Sequence, residues 1–137
     1  MKFSQLAVLT SALFFILAIV WMFFPEQLLT LWGIEPTPGT SVICRRSAAF
    51  FVGVGVMCFL ARNAEPSPTR YALATGISTI SFILAILGIA EWCEGHVSGQ
   101  ILFAALIELL LGIAFLLSNR VANNKHTNFK HCRVNDK

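Results

Sequence analysis

Charged residues make up only 12% of this sequence, where a soluble domain carries about 25%. The few charges fall in short segments between long apolar runs, which excludes an ordinary water-soluble globule and points to a membrane. Other absences narrow the function classes. No C-x-x-C occurs among the four cysteines, so a thiol–disulfide oxidoreductase lacks its usual motif. No G-x-S-x-G, phosphate-binding loop, H-E-x-x-H or Gly-rich dinucleotide fingerprint is present. No histidine lies inside an apolar run, which argues against buried haem ligation. These gaps lean the reading away from an enzyme. No low-complexity segment and no convincing internal repeat is evident.

What is present is a set of four apolar runs: "LAVLTSALFFILAIVWMFF" (6–24), "SAAFFVGVGVMCFLA" (47–61), "YALATGISTISFILAILGIA" (71–90) and the stretch from Val97 to Leu117. Runs of about 20 residues cross a hydrocarbon core of roughly 30 Å. The second run is short and needs its flanking arginines near the lipid boundary. Lys2 and the first run could suggest a signal peptide. The run is too long for that, and "WMFF" stands where small residues would mark cleavage. The expected fold is all-α: an integral membrane four-helix, up-down-up-down bundle with spans at about 6–24, 43–61, 71–91 and 98–118. Pro25 ends the first span. Leu28, Leu29, Leu31 and Trp32 predict a short amphipathic segment at the outer interface, ended by Gly33.

Lysine and arginine set the orientation. Eight of the ten fall on the side of the two termini and the 62–70 loop, and only Arg45 and Arg46 on the other. Both termini are therefore expected in the cytoplasm, with the chain multi-pass in a bacterial inner membrane. The net charge of +3 resides mostly in the tail. It calls for no nucleic-acid partner, and residues 119–137 read as a disordered basic anchor near anionic headgroups.

One acid interrupts the last run: Glu108 in "ILFAALIELLLGIAFLL". A charged carboxylate at mid-membrane costs about 2.5–3.5 kcal/mol on insertion scales. Glu108 must therefore hold its proton or pair with a cation. Arg45 and Arg46 lie about 11 Å higher by helical rise, and Arg46 shares a stripe with Ala49 and Gly53. On span four Ala104, Ala105 and Gly112 flank the acid. On span three Thr75, Ser78, Thr79 and Phe82 share a face. These stripes are expected to meet; their plain reading is close helix packing, and a ligand cleft is the sharper one. The candidate ion-pair or ligand-binding residues are Arg45, Arg46, Glu91, Glu108 and Thr79. They would form either a structural network or an outward pocket for a small anionic or amphiphilic ligand or a proton.

Cys44 and Cys93 both fall at outer helix ends and are a candidate disulfide. Cys58 and Cys132 are expected as thiols. "CEGH" and "HTNFKHC" offer no spacing that demands a metal, so none is assigned.

The layout "RRSAAFFVGVGVMCFLAR", a polar turn and "ALIELLLGIAFLL" resembles the DoxX-like and related small four-span bacterial families. That resemblance implies a membrane accessory or quinone-linked role, without catalytic residues. Three functions compete: a ligand- or lipid-binding accessory protein with a polar outer-leaflet pocket, a small oligomeric transporter or channel with Glu108 as its proton-coupled site, and a quinone-linked oxidoreductase subunit. The exporters of similar size carry their acid in the first span, where this chain has none. No cofactor is evident; a bound lipid or quinone, a second copy or a membrane protein partner would complete the unit.

Overall fold

Proline opens three helices of this chain. Pro25, Pro38 and Pro68 each follow an N-cap residue, where the missing N–H costs nothing and the fixed φ favours the first turn. The computed structural model describes residues 3–134, and side chains through 118. Its helices are α1 (Phe3–Phe23), α2 (Pro25–Leu31), α3 (Pro38–Ala61), α4 (Pro68–Cys93) and α5 (Ile101–Val134). Thr37 and Thr40 form a capping box at the start of α3, and Ser67 caps α4.

Four helices are long and apolar enough to cross a membrane: α1, α3, α4 and Ile101–Ser118 of α5. The chain is a small multi-pass membrane helical bundle. Large apolar side chains cover its outside, with Phe50 76% and Phe103 71% exposed; this is the surface a lipid-facing protein needs. The capping box starts α3 nine residues before the apolar run, so the second span has 24 residues and is not short. The amphipathic segment forms as α2. α5 continues to Val134, and the sequence from 119 to 134 holds no proline or glycine to stop it. The side chains of that basic tail, Cys132 included, lie outside the described residues.

Two hairpins make the bundle: α1 packs along α3, and α4 along α5. α3 and α4, though joined by a short turn, share little packing, whereas α1 touches α5. The expectation that spans two, three and four meet is therefore corrected. The two hairpins share a sequence pattern. Residues 6–19 read "LAVLTSALFFILAI" and residues 73–86 read "LATGISTISFILAI", both L-A-x3-S-x3-F-I-L-A-I. Each hairpin uses the pattern in the same way. Ser11 Oγ donates to the Gly55 carbonyl at 2.8 Å, and Ser78 Oγ shares its proton between the Gly112 carbonyl at 3.2 Å and the Ala74 carbonyl of its own helix at 2.9 Å. The phenylalanine four residues on covers the same glycine: a Cβ on Gly55 would stand 3.2 Å from Phe15, and one on Gly112 3.1 Å from Phe82. Equivalent small residues, Ala7 with Ala74, Ala18 with Ala85 and Ala48 with Ala105, are all buried. The sequence is expected to hold no repeat, and the matching hydrogen bonds and ring contacts correct that expectation.

The hairpins join at the end where α1 and α4 begin. Phe3, Leu6, Ala7, Cys58, Ala74, Ile77 and Phe115 form one buried cluster there. Phe3 meets Phe115 edge-on at 6.2 Å, and the Arg70 guanidinium lies 3.9 Å above the Phe3 ring. Arg70 also donates to the Ala64 carbonyl at 3.2 Å.

Candidate functional site

Towards the α2 end the hairpins separate and leave a partly open cavity of about 330 Å³. Its two long walls differ in chemistry. The first hairpin supplies Leu13, Phe14, Leu17 and Trp21 from α1 and Phe51 from α3; the second supplies Ile80, Ser81, Leu84, Gly88 and Glu91 from α4 and Ala104, Ile107, Glu108 and Leu111 from α5. Aromatic rings run up the first wall in contact: Phe14 with Phe51 at 5.9 Å, Phe51 with Trp21 at 5.3 Å, and Trp21 with Trp32 at 5.7 Å. The second wall carries the acids.

α2 is the roof, through Leu28 and Trp32. It is an insertion in one repeat. The offset between equivalent residues is 67 on the first helices (Ser11 to Ser78) and 57 on the second (Gly55 to Gly112). The first hairpin thus has ten more residues in its connection. α2 ends in a Schellman turn: Gly33 takes φ +78°, and the Ile34 N–H reaches back to the Leu29 carbonyl at 2.9 Å. That turn meets Ser98 of the opposite connection. The Ser98 N–H donates to the Trp32 carbonyl and its hydroxyl to the Leu31 carbonyl, both at 2.8 Å. Two hydrogen bonds therefore tie the roof across to the other hairpin.

The same turn type builds the rim. α4 ends with Gly95 at φ +77°; the His96 N–H donates to the Glu91 carbonyl at 3.0 Å, and that of Gly95 to Trp92 at 3.1 Å. This geometry brings the residue after the glycine over the residue five before it, a contact that is usually apolar. Here His96 Nδ1 lies 2.8 Å from a Glu91 carboxylate oxygen and 3.4 Å from one of Glu94. The hydrogen bond that Glu91 accepts from the ring pushes the His96 pKa above its ordinary value; desolvation works against it, and the charges of Glu91 and Glu94 reinforce it. Glu91, Glu94 and His96 hold ligand atoms within 4.8 Å of one another and could hold a cation. All three are exposed and already form an ion-pair cluster.

Glu108 is half-buried on the cavity wall. It makes no hydrogen bond or ion pair among the described residues. The expected partners are elsewhere. Arg45 and Arg46 are exposed on α3, the helix that packs on α1 rather than α5, so the Glu108–Arg46 bridge is not formed. The stripe of Arg46, Ala49 and Gly53 faces away from the neighbouring helices; the packed face of α3 is Ser41, Cys44, Ala48, Gly55 and Cys58. Thr79 is also off the cavity, exposed and bonded to the Thr75 carbonyl at 2.9 Å. Of the five candidates only Glu91 and Glu108 line the cavity. Cys44, Cys58 and Cys93 are free thiols. The expected Cys44–Cys93 bridge is not formed, because Cys44 is buried on the packed face of α3 and Cys93 is exposed at the end of α4. The aromatic ladder was missed. Its signal was the repeat, which sets Phe14 against Ser81, Trp21 against Gly88 and Phe51 against Glu108.

The chain belongs to the family described as "Domain of unknown function (DUF8292)", which matches residues 2–119 and so covers the whole bundle. No curated protein and no solved structure matches it.

Proposed function

We propose that this DUF8292 chain is a binding protein of the plasma membrane that holds one lipophilic small molecule between its two hairpins. The supporting observation is the cavity: it has the volume of a small ligand site, near 330 Å³, with mostly apolar walls and a few polar groups. The bias of lysine and arginine to the terminal side supports cytoplasmic termini and a roof of α2 on the outer face. The bacterial inner membrane and the DoxX-like likeness belong to this proposal, and no residue role rests on that likeness. A lipid chain or a quinone falls in the same ligand class.

Native mass spectrometry of the detergent-purified protein tests the reading. A bound molecule is expected on the wild type and not on Leu84→Trp, which fills the cavity. Equal loading of both would refute it. The repeat favours a second reading, transport, because substrate sites of many transporters lie between repeated halves. Uptake into liposomes that Ser98→Ala accelerates, by removing one of the two hydrogen bonds on the roof, would favour transport over storage.

A further inference from the structure

The two walls of the cavity are chemically complementary to one kind of molecule. Trp21, Trp32 and Phe51 line one side, with Trp21 meeting Trp32 at 5.7 Å and Phe51 at 5.3 Å, both edge to face. Glu108 stands deep on the other side and Glu91 at the rim. No lysine or arginine lines the cavity. Glu91 has His96 as a partner at 2.8 Å, whereas Glu108 has none among the described residues.

The repeat shows how this asymmetry arises. Where Ser11 matches Ser78, Phe15 matches Phe82 and Gly55 matches Gly112, the residues hold a hairpin together. Three pairs of unlike residues face the cavity instead: Phe14 and Ser81, Trp21 and Gly88, Phe51 and Glu108. In each pair the first hairpin has the ring and the second has a small residue or the acid. The small residues open the space, the rings line it, and the acid charges it.

A ring face is negative at its centre and attracts a cation, most strongly where water is excluded. A carboxylate across the same space attracts the same charge. An anion is repelled by Glu108, and a neutral guest leaves the acid to keep its proton. We propose that the cavity selects a lipophilic organic cation, an amine, ammonium or phosphonium bearing apolar groups, with its charge between Glu108 and the Phe51–Trp21 wall. The proposal rests on the cavity being a ligand site.

Methyltriphenylphosphonium and triphenylphosphine oxide test it, being close in shape but cationic and neutral respectively. The readout is tryptophan fluorescence of a Trp92→Phe protein in zwitterionic nanodiscs, where the remaining tryptophans, Trp21 and Trp32, both line the cavity. The phosphonium should saturate and bind about tenfold tighter than the oxide, or more. Glu108→Gln should erase that preference and leave the affinity for the oxide in place. Phe51→Leu, which keeps the apolar bulk and removes the ring, should weaken the phosphonium selectively and serves if Glu108→Gln fails to fold. Equal affinity for both probes, unchanged by either substitution, would overturn the cation inference and leave the cavity reading standing. Binding of neither probe, or binding that Leu84→Trp does not diminish, would overturn both.

Discussion

Thr10 is fully buried on α1, and its hydroxyl has no hydrogen-bond partner among the described residues. Its equivalent in the second repeat is Ile77, also buried. An unsatisfied buried hydroxyl costs about 1–3 kcal/mol, so Thr10→Val should raise thermal stability in detergent. A marked loss would mean that the hydroxyl has a partner. The glycines of α3 make a second residue-scale test. Gly53 has open space around it and Gly55 has the Phe15 ring. Gly53→Ala should be neutral or favourable by up to about 1 kcal/mol, and Gly55→Ala should cost about 1–3 kcal/mol as the ring is displaced. In the sequence these two glycines look alike, which is why the packed face of α3 was read one stripe off. Glu108 was legible as an anomaly because a lone acid in an apolar run has few explanations. Its surroundings were not, because they depend on which helices are neighbours.

At the scale of elements, the four spans and α2 were legible, since length, apolarity, proline and Gly33 act locally. The helix pairing was not: a match of Arg46 to Glu108 by depth needs α3 beside α5, and α3 packs on α1. The connections at the α2 end yield a pH prediction. The folded-state pKa of His96 is raised by Glu91. The stability from that pair is therefore full below the ordinary histidine pKa of about 6.5 and is lost as pH rises through the raised value. An NMR titration should place the His96 midpoint above that of a free histidine, and Glu91→Gln should bring it down. A midpoint that Glu91→Gln does not move would remove the pair. Across the roof, Gly33→Ala forces a side chain into φ +78° at about 1–2 kcal/mol. It should loosen α2 and speed hydrogen exchange at the Ser98 amide; unchanged exchange would mean that the turn does not hold the roof.

The described part of the molecule is two hairpins that share one packing pattern, closed together at the end where α1 and α4 begin and held apart at the other by a cavity. The repeat was in the sequence all along, at 6–19 and 73–86. It was hard to credit because apolar segments resemble one another by composition, and the shared Ser–Gly bond and the ring over the glycine give it a physical basis. Each hairpin buries its own seam, so fragments 1–66 and 67–137 should assemble when co-expressed and co-purify through a tag on either one. Fragments recovered only as separate aggregates would show that the hairpins depend on the 62–67 turn. The most direct test of the central claim compares neighbouring residues of α5. Ala104 lines the cavity and Ala105 is 2% exposed in the seam with α4. In a protein with its four native cysteines replaced by serine, a single cysteine is placed at each site and a cationic, water-soluble thiol reagent is added. Ala104→Cys is expected to react, faster with Ser98→Ala and not with Leu84→Trp, while Ala105→Cys stays inert. Equal reactivity at both positions, or an Ala104→Cys that stays inert even when Ser98→Ala loosens the roof, would contradict a cavity between the two hairpins.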